Sequence, residues 1–160
     1  MSYLKNMTAL SLLSRRMCNF TATTALVLAI CPALSAYAES QDKSVIGQWK
    51  LTKVLDSSEI TALDDDGAQQ LVGRVISIEP DKVRFGKRTC MDPDFEVTIA
   101  ETDAYFARHA HASAEKLGLP NPVTAVHINC TYVYKKSADK IVVHWKGYFF
   151  DAVRFHAGRR

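Results

Sequence analysis

Val45-Ile46-Gly47-Gln48-Trp49-Lys50-Leu51-Thr52 is the stretch whose reading decides the fold. Side chains alternate across a strand, so Val45, Gly47, Trp49 and Leu51 share one face while Ile46, Gln48, Lys50 and Thr52 share the other. Bulk on one face and polar groups on the other predict the opening strand of a β domain.

What precedes it reads as an export signal. Lys5, Arg15 and Arg16 form a basic region, Phe20 to Leu34 is mostly apolar, and Ala36-Tyr37-Ala38 matches a small-residue cleavage site before Glu39. The apolar run is too short and too rich in Thr and Ala to span a membrane. Ser14-Arg15-Arg16 resembles a twin-arginine signal, which leaves the export route open. Ile30 before Cys31 and Pro32 after it argue against lipidation. Residues 1–38 are therefore expected to be a signal peptide. Residues 39–160 are expected to form a single domain, periplasmic or secreted, with no stable membrane anchor after cleavage.

Removing that segment changes the charge and the cysteine count. Lys+Arg falls from 20 to 17 against 17 Asp+Glu, a formal net charge of zero with His neutral. The basic character of the whole chain lies in the signal, which argues against nucleic acid as a partner. Cys90 and Cys130 remain, and two cysteines in an exported domain predict one disulfide. Closing that loop stabilises by on the order of 4 kcal/mol in the chain-entropy model. A thiol nucleophile or a metal pair are the rivals, without a Cys-x-x-Cys spacing to support either.

Downstream, Asp64-Asp65-Asp66-Gly67 has the look of a Ca²⁺ loop. With Gly67 at the sixth position, Ala62 and Gly73 would occupy the first and twelfth, where acids are required. It is expected to be a solvated turn before a short segment, Ala68–Leu71. Arg74–Glu79 and Lys82–Phe85 read as a hairpin about Pro80-Asp81. In Phe95–Ile99 the alternation places Phe95, Val97 and Ile99 inward. A single helix is expected to start at Thr102 or Asp103 and stop at Gly118, with Phe106, Ala110, Ser113 and Leu117 on its apolar stripe, as a lid or plug on a barrel end or side. Val123–Tyr134, Lys140–Trp145 and Tyr148–Phe155 close the chain as strands, the last two joined by the two-residue turn Lys146-Gly147. Regularly spaced short strands predict a mainly β fold: an antiparallel barrel of seven or eight strands with one helix.

Gly47-x-Trp49 resembles the opening Gly-x-Trp of lipocalins and related calycin barrels. The resemblance implies that Trp49 closes one end of the barrel and that an Arg from a late strand lies across its ring. Arg154, on one face of the last strand with Tyr148, Phe150 and Ala152, is placed for that role. The chain departs from the family in lacking a Thr-Asp-Tyr triplet, since Ala104 follows Thr102-Asp103.

Chemistry-bearing residues are few. The sequence has no Gly-x-Ser-x-Gly, His-Glu-x-x-His or phosphate-cradling Gly-rich loop, so no catalytic residue, metal site or cofactor is assigned. His127 and His144 alternate with apolar neighbours and are expected to face the same way, outward. Lys82, Arg84, Lys87 and Arg88 form a basic group, a solvated face or a patch for an acidic partner or an anionic headgroup. The function expected is therefore binding without catalysis. A small apolar or amphipathic ligand would sit in the barrel among Trp49, Phe95, Val97, Ile128, Trp145, Tyr148 and Phe150, with Gly47, Trp49 and Arg154 structural. The alternative is a protein partner, blocked by a loop between Gly86 and Asp94 in the manner of small bacterial lysozyme inhibitors. A third class is a hydrolase or metal protein using His127 and His144.

Overall fold

The strand predicted from the opening stretch is β1, Gly47–Ser57, and at 11 residues it organises a sheet of nine antiparallel strands. The computed structural model describes residues 40–156, so the expected export segment lies outside the described residues. After β1 come α1 (Asp65–Gln69), β2 (Val75–Ile78), β3 (Lys82–Phe85), β4 (Arg88–Met91) and β5 (Glu96–Ala100). The helices α2 (Thr102–His109) and α3 (Ala114–Leu117) precede β6 (Val123–His127), β7 (Tyr132–Ser137), β8 (Lys140–Trp145) and β9 (Tyr148–Arg154).

The strand order is β4-β3-β2-β1-β9-β8-β7-β6-β5. Every neighbouring pair is consecutive in the chain except β1 with β9, so the sheet is a meander whose first and last strands meet. Two bulges in β1, between Leu51 and Lys53 and between Val54 and Asp56, help it coil. Phe85 of β3 touches Trp145 of β8, with ring centroids 5.1 Å apart and three strands between them in the sheet. Such rings meet only across the hollow of a curled sheet.

The curl is an open half-barrel, which corrects the closed barrel of seven or eight strands expected from the sequence. The seam lies between β4 and β5, consecutive in the chain yet unpaired. Met91–Phe95 contains Pro93, with positive φ at Asp92 and Phe95 (53° and 56°), and does not form a hairpin; β5 instead pairs with β6. The free edge of β5 is met by Gln41, and Asp42 N–H donates to Phe95 O at 3.0 Å. The Cys90–Cys130 disulfide, with Cα atoms 6.0 Å apart, ties β4 to the β6–β7 turn. Beside it Asn129 Nδ2 donates to Met91 O at 2.8 Å.

Both faces of the sheet are covered. The inner cluster contains Trp49, Leu51, Ile76, Phe85, Phe95, Val143 and Phe150. On the outer face Tyr105, Phe106 and Ala110 of the α2 region and Leu117 of α3 pack on Val123, Ala125, Tyr134, Val142 and Phe149. Two-sided burial accounts for the unbroken apolar runs Ile141-Val142-Val143 and Tyr148-Phe149-Phe150. The helices therefore lie along the side of the sheet.

Four local expectations are corrected. The single helix is two, broken where His111 takes φ 47°, and its cap is Glu101, which accepts from Asp103 N and Ala104 N at 3.1 and 2.7 Å. The run Val123–Tyr134 is divided by a turn in which Asn129 takes φ 66°. Arg88–Met91, in which the sequence suggests no strand and Met91 reads as the start of the turn Met91-Asp92-Pro93-Asp94, is an edge strand. Ile99, expected inward, is 67 % exposed, because β5 is an edge strand whose far end runs past the inner core.

Candidate functional site

At the end of the sheet where β1 finishes, four segments converge on one groove. The β8–β9 turn comes first: Lys146 and Gly147 both have positive φ (51° and 88°), as a two-residue hairpin turn between twisted strands requires. The loop after β1 docks on it, with Ser58 N–H donating to Gly147 O at 2.7 Å and Ala62 N–H to Lys146 O at 3.0 Å. The approach is so close that a Cβ on Gly147 would sit 2.6 Å from Ile60 O. This docking carries Leu63 to the groove wall.

The second wall is α1 and the residues after it. The acidic run that mimicked a Ca²⁺ loop is its N-terminus. Asp64 accepts from Gly67 N at 2.8 Å, and Asp65 and Asp66 fall in the first turn, where acids complement the exposed N–H groups. Tyr148 donates its hydroxyl to Asp65 at 2.8 Å, fastening α1 to β9. Leu71 and the exposed Arg74, which follow α1, line the groove together with Leu63.

The third and fourth sides are the tip of the β3–β4 hairpin (Gly86, Lys87, Arg88) and Trp145. The groove is open to solvent along one side and has a volume of ≈ 830 Å³. Its floor is the edge-to-face pair Phe85 and Trp145. Its rim carries Arg74, Lys87, Arg88 and Lys146, and no carboxylate lines it. Nor does any of these four cations belong to an ion pair among the described residues. The basic group read from the sequence is thus divided: Lys82 and Arg84 are spent on Glu79 and Asp81, while Lys87 and Arg88 stay with the groove.

The other end is built from similar parts, with its indole buried under a guanidinium and a smaller cavity beside it. Trp49 is 1 % exposed and donates Nε1–H to Val45 O at 2.7 Å. Arg154 lies over its ring at 4.2 Å, as the lipocalin resemblance implied. The guanidinium also donates to Ile46 O at 3.0 Å and Ser44 O at 2.9 Å, and pairs with Asp139. Gly47 leaves room for it, since a Cβ there would stand 2.6 Å from Arg154 Nη1. A cavity of ≈ 330 Å³ flanks this end, where Lys135 is held by Asp42 at 2.7 Å.

Trp49, Phe95, Ile128, Trp145, Tyr148 and Phe150 pack together in the inner core with Val97 at its margin, rather than around an open lumen. Of the seven residues expected to line a ligand, Trp145 borders the groove and Trp49 the small cavity. Phe85 of β3 was missed as a site residue, and so were Leu63, Leu71, Arg74 and Lys146. The last four lie in loops and turns whose meeting is fixed by tertiary contacts. The adjacency of Lys146 to Trp145 was their one local trace.

The histidines both lie on the outer face. His144 stacks on Phe149 at 4.5 Å with Nε2 3.4 Å from Ser58 Oγ, and burial pushes its pKa down. His127 Nδ1 is 2.8 Å from Asp94 Oδ2. Burial raises the Asp94 pKa, but the hydrogen bond and charge of His127 outweigh it and hold the carboxyl below its ordinary value. With Glu96, the partner of His127 across the β5–β6 ladder, these side chains bring three donor atoms within 4.8 Å of one another. One nitrogen and two carboxylates could hold a borderline divalent metal. His127 was singled out from the sequence and its two carboxylate partners were not, because they lie 33 and 31 residues away in the chain. No protein-family model, curated protein sequence or solved structure matches this chain, so its functional reading rests on the geometry of the two ends.

Proposed function

We propose that the protein is an exported binding protein, periplasmic or secreted, that holds a small apolar or amphipathic ligand without catalysing its conversion. In this proposal the sheet works in a lipocalin-like way: one end is stopped by an indole and the other receives the ligand. The ligand sits in the groove over Phe85 and Trp145 rather than deep in the curl, which its own side chains fill.

One observation carries the proposal, the ≈ 830 Å³ groove with an aromatic floor and two leucines in its lining. That volume lies within the roughly 300–1,000 Å³ typical of small-molecule sites, which combine apolar linings with a few polar groups. The inhibitor alternative draws support from the filled inner face. Against it, the first part of Gly86–Asp94 is the β3–β4 turn and the strand β4, which leaves only Asp92–Asp94 outside the hairpin.

Titration with a neutral hydrophobic fluorophore such as N-phenyl-1-naphthylamine, alongside native mass spectrometry of the protein as purified, tests the proposal. Saturable one-to-one uptake, lost in Leu71→Asp, is expected. The absence of both probe uptake and a co-purified mass would end it.

A further inference from the structure

We propose that the ligand of this groove is an anion: a single-chain amphiphile whose carboxylate or phosphate head lies among Arg74, Lys87, Arg88 and Lys146 while its tail rests on Phe85 and Trp145. This inference rests on the groove being a binding site and adds the charge and the orientation of what enters it.

Arg74 precedes β2, Lys87 and Arg88 form the β3–β4 tip, and Lys146 sits in the β8–β9 turn, so three separate parts of the chain bring positive charge to one cleft. Like charges gathered around a partly enclosed space repel one another, and an apolar floor weakens solvent screening. Elsewhere some cations are neutralised by the chain's own acids: Lys82 has both Glu79 and Asp81, Lys116 has Asp56, Lys135 has Asp42 and Lys136 has Asp151. Lys43, Lys50, Lys53, Arg108 and Lys140 are exposed, have no ion-pair partner among the described residues and do not line the groove.

Around the groove no such partner is supplied among the described residues. Asp64, Asp65 and Asp66 adjoin the lining residues Leu63 and Gly67 in the chain, yet none forms an ion pair with the four cations. Asp64 caps α1 and Asp65 accepts the Tyr148 hydroxyl. An anionic head would provide the missing charge. Two of the four cations are arginines, whose planar forks suit the paired oxygens of carboxylate and phosphate.

The tail follows from the floor. A bare anion needs no aromatic surface, and a polyanion such as nucleic acid would need a track of charge longer than one cleft. Phe85 and Trp145, with Leu63 and Leu71, give the groove an apolar lining beside the basic rim. Charge at the mouth and apolar surface beneath it match an amphiphile inserted tail first.

The test is isothermal titration of the purified protein with decanoate, decyl phosphate, decanol, decyltrimethylammonium and inorganic phosphate. Decanoate and decyl phosphate are expected to bind at least tenfold more tightly than decanol, and the cation more weakly still. Their advantage should shrink as salt rises from about 50 to 500 mM. Lys87→Ala/Arg88→Ala, and independently Arg88→Glu, should erase the difference between decanoate and decanol. Decanol binding as tightly as decanoate would overturn the anion and leave the groove standing. Inorganic phosphate binding as tightly as decyl phosphate would overturn the tail. Failure of every decyl compound would overturn the groove itself.

Discussion

The two ends of the curled sheet each hold a tryptophan beside cationic side chains, and they behave in opposite ways. At the Trp49 end the charges are spent internally. Arg154 covers the indole and donates to Ile46 O and Ser44 O, and Lys135 is paired with Asp42. At the Trp145 end the indole floors a groove, and the four surrounding cations have no ion-pair partner among the described residues. The lesson is that an indole and a guanidinium do not by themselves make a stopper or a receptor. The supply of carbonyls and carboxylates within reach decides which.

The comparison can be broken most forcefully at the closed end. Trp49→Ala is expected to cost about 3–5 kcal/mol of unfolding free energy in urea denaturation, since it empties a fully buried site and orphans the Val45 carbonyl. A loss under 1 kcal/mol would mean that Trp49 is not the structural stopper.

A second test sets the two arginines side by side. Arg154→Met removes charged hydrogen bonds and a cation–π contact and should cost about 1–3 kcal/mol. Arg88→Met at the groove rim should change stability by no more than about 0.5 kcal/mol. Equal costs would erase the distinction between spent and unspent charge.

The smallest effect concerns Asp42. Burial raises its pKa, but hydrogen bonds from Lys135 and Ser44 and the Lys135 charge outweigh that and hold the carboxyl below its ordinary value. A depressed carboxylate contributes stability above its unfolded pKa of about 3.9 and loses it as pH falls through the lower folded value. Asp42→Asn keeps the cap on Ser44 and loses the charge. Denaturation midpoints should therefore show a deficit of about 0.5–1 kcal/mol at pH 6 that closes below about pH 4. A deficit constant with pH would show that the Lys135 pair contributes nothing.

How much of this the sequence disclosed depended on how locally each feature is specified. Trp49, Leu51, the Lys146-Gly147 turn and the pairing of Cys90 with Cys130 were legible because alternation, turn chemistry and cysteine count act over a few residues or by elimination. The Trp49–Arg154 contact was legible only through a family resemblance. The strand Arg88–Met91 was hidden because an edge strand needs no apolar alternation, and Ile99 misled because alternation does not say where a core ends. The open seam lies at Met91–Phe95, where Asp92 and Phe95 take positive φ, a conformation that their identities do not announce. The groove was the least legible feature. Leu63 and Lys146 are brought together by backbone hydrogen bonds between a loop and a turn more than eighty residues apart in the chain. Leu71 and Arg74 are placed by the Tyr148–Asp65 bond and by backbone bonds to Leu51.

The chain has two tryptophans, one at each end, so a single spectrum reports on both. In a ¹⁵N-labelled sample titrated with decanoate, the indole N–H cross-peak of Trp145, assigned from Trp145→Phe, should move and saturate while that of Trp49 stays in place. Movement of the Trp49 peak, or of neither, would contradict the division of the molecule into a closed end and a receiving one.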